Sequence, residues 1–340
     1  MAVSVSTLRT ALSFGALLLA STALAGPVPG ARLQLELLRA MPSEVLAGIT
    51  KGGAPDGHGM VGHNQQRWMG AQYQRSAADV LLFAASRGDR EMAERAWTAV
   101  EVAFAHQEHD GGFASREESK DAPAVLKDVY SDNAFWLAHL SQAILVLRES
   151  PLAPAFRDRI DALMPRFRTA AHLLVGSKEA LTKRERKAPN RYFFDGLACK
   201  LSGLLVSDRS LDDLGNYFIE LALHMQHPSG FFVEQGGADT SYNAVSIWQL
   251  QILDLYFPAP RYDAALSRAI AWQLPRIKPD GTIDAKGNSR TGLGQERYFG
   301  KPKGINYPEV VFALLYYGYR HKDQAAIDAA LRANRRRERG

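Results

Sequence analysis

Apolar residues recur along this chain at helical spacing, and the helices they predict are of two kinds. Trp68–Ala85, Ala134–Leu147, Phe193–Val206, Ala244–Tyr256 and Val310–Tyr319 are apolar on nearly every side. Arg90–Phe104, Ala155–Leu174, Leu211–Met225, Tyr262–Leu274 and Asp323–Asn334 are amphipathic, with one charged face. A helix apolar all round is buried, whereas an amphipathic one keeps a face in water. The two kinds alternate at spacings of roughly 50–65 residues, the period of a repeat architecture. The pattern predicts an inner ring of helices shielded by an outer ring. The expected fold is therefore all-α, an α/α toroid (barrel) of about five to six helical hairpins. An additional helix over Leu33–Ile49 precedes the pairs, and Gly230–Val233 and Gly281–Ile283 could form short loop strands at most.

The punctuation agrees. Arg87-Gly88-Asp89, Ser207-Asp208-Arg209 and Phe257-Pro258-Ala259-Pro260 are short connections from inner to outer helices. The returns are longer: His106–Tyr130, Gly176–Asn190, His227–Asp239 and Lys278–Tyr307. All long loops then lie at one end of the barrel, and loops of this length in a compact domain are usually functional. The last carries Arg290, Arg297, Lys301 and Lys303 and would form a lid or subsite wall. No segment has the composition of a linker, so residues 26–340 read as one catalytic domain.

Each inner helix opens on a polar cluster. The clusters are His63-Asn64-Gln65-Gln66-Arg67-Trp68; Tyr130-Ser131-Asp132-Asn133 with Trp136; Asn190-Arg191-Tyr192 with Asp195; Asp239-Thr240-Ser241-Tyr242-Asn243; and Asn306-Tyr307-Pro308-Glu309. Asp, Ser and Asn are preferred N-caps, so Asp132, Asp239 and Asn306 have a purely structural explanation. Capping does not require the neighbouring aromatic, histidine and arginine residues. Five clusters at one barrel end predict a site, and aromatic faces with polar tips suit sugar rings. Helix N-termini add partial positive charge, which favours an anion.

Composition narrows the class. Arg9 precedes an apolar run, Leu12 to Leu24, and Ala23-Leu24-Ala25 has the small-x-small form of a cleavage site. Residues 1–25 are expected to be a signal peptide, and the protein to be periplasmic or secreted, without membrane attachment after processing. The single cysteine, Cys199, allows no internal disulfide, and 46% hydrophobic residues supply a core instead. Net charge is +5, falling to +4 without Arg9, and the most basic stretches, Lys183–Lys187 and Arg335–Arg339, read as solvated surface. No nucleic-acid motif, Walker loop, dinucleotide fingerprint or nucleophile elbow is present. His106 and His109 are three apart beside Asp110 but end an outer helix and read as solvated loop histidines, and His58 and His63 have no Cys or His-Glu-x-x-His partner, so no metal and no cofactor is expected. His139, inside an inner helix, reads as a satisfied core histidine. A monomer is expected.

With Pro189-Asn190-Arg191-Tyr192 leading into one inner helix and Gly236-Gly237-Ala238-Asp239-Thr240-Ser241-Tyr242 into another, the chain resembles the α/α-toroid polysaccharide lyases, alginate lyases included. The resemblance implies β-elimination on a uronic-acid-containing polysaccharide of alginate or glucuronan type, an anionic polymer substrate. It gives Tyr242 the role of general acid, and possible base. Asn190 and Arg191 would neutralise the carboxylate, and His63 would assist as base. Arg191 stands where such enzymes often have histidine. Asn64, Gln65, Trp68, Tyr130, Asp132, Asn133, Trp136, Tyr192, Glu234, Asp239, Asn243, Arg297 and Tyr307 are the expected substrate-binding residues. Two alternatives stay open. One is a toroid glycoside hydrolase using two carboxylates, Glu234 with Asp239 or Asp132 with Asp195. The other is a non-catalytic glycan-binding toroid.

Overall fold

The computed structural model describes residues 28–113 and 128–339. The expected signal peptide lies outside the described residues. Thirteen α-helices are described: α1 (Pro29–Ala40), α2 (Ser43–Thr50), α3 (Arg75–Arg87), α4 (Arg90–Ala105), α5 (Val129–Glu149), α6 (Ala153–Leu173), α7 (Lys178–Glu185), α8 (Pro189–Val206), α9 (Arg209–His224), α10 (Thr240–Tyr256), α11 (Pro260–Gln273), α12 (Tyr307–His321) and α13 (Gln324–Arg339). A two-residue antiparallel pair, β1 (Arg297–Tyr298) and β2 (Lys301–Pro302), sits in the loop before α12. The short loop strands expected near Gly230 and Gly281 are single bridges, Gln226 to Phe232 and Ile277 to Ile283.

The protein is mostly helical, in two layers. The nearly all-apolar helices α3, α5, α8, α10 and α12 pack side by side in that order, and each carries its amphipathic partner, α4, α6, α9, α11 or α13, on its outer side. From Thr240 to Leu255, every residue of α10 is buried. Its partner α11 buries only one stripe, including Tyr262, Leu266, Ala269 and Ile270. Hairpin turns are set locally. Gly88 ends α3 at φ 68°, a left-handed conformation that costs glycine little, and Asp89 then caps α4 by accepting the Met92 N–H at 3.0 Å.

Helices α12 and α3 share no extensive contact, whereas α1 lies against α3, α5, α10 and α12. Helix α1 therefore packs against four of the five inner helices. Its Gln34 is fully buried; the amide donates to Gln142 Oε1 at 3.1 Å and to the Tyr316 hydroxyl at 3.2 Å. The Gln34 carbonyl oxygen accepts from the Tyr256 hydroxyl at 2.8 Å.

Three boundaries differ from the sequence pattern. The helix expected over Leu33–Ile49 breaks into α1 and α2, because Pro42 drives Met41 out of the helical region, to ψ 151°. The helix expected to start at Trp68 starts at Arg75. Gly70 takes φ 144°, and Asp132 reaches across from α5 to accept the N–H groups of Ala71 and Gln72 at 3.0 and 3.1 Å. The loop expected over Gly176–Asn190 contains α7. Cys199 is buried, and burial raises its thiol pKa well above the ordinary value. Among the described residues, no helix is long and apolar enough to cross a membrane.

Candidate functional site

A cavity of about 270 Å³ opens among the N-terminal halves of the inner helices. Phe194 of α8, Trp248 of α10 and Phe312 of α12 form apolar walls, with Trp248 and Phe312 stacked at 5.2 Å and an interplanar angle of 6°. At the mouth, His63 stacks on Phe299 at 3.8 Å and meets Tyr73 and Tyr298 edge-on. Gln142 lies one turn beyond His139 on α5, and Tyr316 one turn beyond Phe312 on α12. Both bond to Gln34 of α1, which lies beyond the cavity.

Arg75 and Asp79 of α3, His139 of α5 and Glu309 of α12 bring ionisable groups from the helices into the wall. His139 Nδ1 lies 2.7 Å from Asp79 Oδ1. A carboxylate there accepts the Nδ1 proton and leaves Nε2 as the basic nitrogen of the neutral ring. Nε2 is buried and has no hydrogen-bond partner. His139 is thus not the satisfied core histidine its position predicts. Glu309 keeps partial exposure, yet burial of its carboxyl raises its pKa to about 7, against the pull of Lys303 and Arg75. Burial lowers the pKa of His63.

A second ionic cluster ties the loop before α12 to the start of α10. Arg290 pairs with both Glu234 and Glu296, and its guanidinium lies 3.9 Å from the centre of the Tyr242 ring. The Tyr242 hydroxyl donates to Glu296 Oε2 at 2.9 Å and accepts from Lys303 Nζ. Burial raises the pKa of Tyr242 far above the ordinary phenol value, and the nearby Glu296 adds to the rise while Arg290 opposes it. Glu234 is raised to about 7, mainly by burial, despite its pairing with Arg290.

The remaining expected site residues hold backbone or fill core. Asp239 caps α10 through the N–H groups of Ser241 and Tyr242 at 3.0 and 3.1 Å. It also accepts from Arg290 N and Thr291 N at 3.0 and 2.8 Å. Asp132 holds the turn before α3, and burial raises its carboxyl to about 7. Asn64 bonds Gly70 O and Met69 N; Asn133 bonds Gly111 O and Ala170 O; Asn243 bonds Phe232 N and Gln273. Gln65 and Arg297 are exposed, and Arg297 bonds the Gly300 carbonyl. Trp68 stacks on His106 and donates to Phe113 O, whereas Trp136 is fully buried. Tyr192 donates to Thr182 O and Tyr307 accepts from Ile283 N; Tyr130, in the first turn of α5, is half-buried. Asn190 is buried with Oδ1 unpartnered, as is Asp195 with Oδ2. Arg191 pairs with Glu185 at 3.1 Å.

Of the four residues given catalytic roles, His63 alone lines the aromatic cavity. Sequence reasoning missed Arg75, Asp79, His139 and Glu309 as a group. A weak signal was available: Arg75 and Asp79 are charges one turn apart on a helix otherwise read as buried.

No family model and no curated relative matches the chain. It is similar to two solved structures of the type II terpene cyclase MstE from Scytonema, each in complex with geranylgeranyl dihydroxybenzoate. The first has 16% identity and a TM-score of 0.46, covering 90% of this chain and 87% of that one. The second has 15% identity and a TM-score of 0.44, covering 91% and 87%. These neighbours are cyclases, not polysaccharide lyases, and the lyase expectation is corrected accordingly. The local chemistry offers it no support: Tyr242 is locked between Glu296 and Lys303, Arg191 is taken by Glu185, and His63 stacks in a separate aromatic group. The hydrolase and glycan-binding alternatives gain no support either. Asp239 and Asp132 spend their oxygens on backbone N–H groups, and Glu234 is ion-paired.

Proposed function

We propose that this chain is an enzyme that moves protons on a small molecule held in the aromatic cavity. The observation that carries the reading is the Asp79–His139 pair at 2.7 Å, with a buried, unpartnered Nε2, in the same wall as Glu309. Asp79 orients the imidazole and stabilises its protonated form. His139 Nε2 then serves as general base. Glu309, raised to about 7, is still substantially protonated near neutral pH and serves as general acid. A base and an acid in one apolar cavity suit isomerisation, elimination or hydration, in which one proton leaves the substrate as another arrives. Phe194, Trp248 and Phe312 exclude water and favour a ligand with an apolar body. We read the two helical layers as an α/α toroid, with α1 completing the ring. We also propose that residues 1–25 direct export and are removed, which N-terminal sequencing of secreted protein would test.

The test is proton exchange. Small carbonyl and unsaturated carboxylic compounds are incubated with the protein in deuterium oxide, and carbon-bound exchange is followed by NMR. Wild-type protein is expected to promote exchange in at least one of them. His139→Gln should slow it by a factor on the order of 10²–10⁴, the usual worth of a general base. Equal rates in wild type, His139→Gln and Glu309→Gln would sink the reading.

A further inference from the structure

Arg75 puts a permanent cation in the cavity wall. Among the described residues it forms no ion pair. Its hydrogen bond runs from Nη1 to the Gln72 carbonyl at 2.6 Å, and its guanidinium lies 5.6 Å from the Phe135 ring centre. The nearby carboxylate of Asp79 is engaged by His139. The guanidinium therefore keeps donors for a ligand. Nε and Nη2 point along one edge, the spacing that matches the two oxygens of a carboxylate. A dianion is the poorer fit, because the Asp79 carboxylate shares the wall and would repel the second charge. Beyond Arg75 the walls are flat and aromatic, with Trp248 and Phe312 parallel.

We propose that Arg75 anchors the carboxylate of a small monoanionic ligand whose flat, apolar body lies against Trp248 and Phe312. This rests on the aromatic cavity being the active site and adds the class of molecule that enters it. The carboxylate end is held by a positioning residue, and the unsaturated or aromatic body is brought to His139 and Glu309.

Calorimetric titration tests it with matched probes: cinnamate and phenylacetate against their neutral amides. Wild-type protein should bind the acids at least tenfold more tightly than the amides, a difference of about 1.4 kcal/mol. Arg75→Gln should remove that preference while Arg75→Lys keeps part of it, each variant first checked for an unchanged melting temperature. His139→Gln should keep the preference, since it removes the base and not the anchor. Equal binding of acids and amides by wild type would overturn the anchor but leave the cavity as the site. Binding of neither would overturn both the anchor and the active-site reading. The comparison of acid with amide on wild type needs no variant to fold.

Discussion

Asp132 and Glu309 both have carboxyl groups raised to about 7 by burial, but their surroundings set them to different tasks. Asp132 accepts two backbone N–H groups and is committed to a turn. Glu309 lies at the cavity wall with Lys303 and Arg75 as its favourable charges. The linkage sign follows from a carboxyl held above its ordinary value. Folding favours its protonated form, so its stability contribution is complete at low pH and is lost as pH rises from 4.5 through about 7. Glu309→Gln should therefore flatten part of the decline in unfolding free energy across that window, measured by urea titration at a series of pH values. Asp132, Asp195 and Glu234, whose carboxyls burial also raises, would retain the rest. At this scale the sequence was half legible. Asp239 caps its helix as its residue type predicts. His139 gave no sign of its partner, because Asp79 is 60 residues away and no motif spacing joins them.

The first turn of α10 and the loop before α12 act as one unit. One carboxylate, Asp239, caps the helix and holds the loop amides of Arg290 and Thr291, while Arg290 reaches on to Glu234 and Glu296. Asp239→Ala should cost about 0.5–2 kcal/mol from the lost cap alone, and more from the loop N–H groups left unpaired. Limited proteolysis should then cut between residues 286 and 306 under conditions that leave wild type intact; cleavage at the wild-type rate would show that the ionic contacts suffice. The loop was legible from its length and its basic residues. Its contacts were not, because they join positions more than 50 residues apart.

Across the whole molecule, the two layers were legible from polarity alone. A helix that tolerates apolar residues on every side has no place in water, and its amphipathic neighbour supplies the cover. The placement of α1 was not legible. Helix α1 is amphipathic like an outer helix, and what places it against the inner helices is the set of distant partners around Gln34. The packing there is close. A Cβ on Gly30 would stand 2.7 Å from Tyr256 Cα and 2.8 Å from the Leu255 carbonyl oxygen. Gly30→Ala should force α1 outward and destabilise the protein by about 1–3 kcal/mol, the usual range for overpacking. Thermal unfolding measures it, and an unchanged melting temperature would mean that α1 seats loosely.

Gln34 meets Tyr316 across 282 residues. During synthesis α1 emerges before its partners, and the last of them emerges only with α12. Until then Leu35, Leu37 and Leu38 have only the partial cover of α3, α5 and α10. Hairpins that close over short sequence distances can form early, while the joining of α1 to α12 pays loop entropy last. The predicted order of assembly is thus hairpins first and the contact of α1 with α12 last. Because Gln142 and Tyr316, the partners of Gln34, lie one turn beyond His139 and Phe312 of the cavity wall, that wall would be fixed only at the final step of folding.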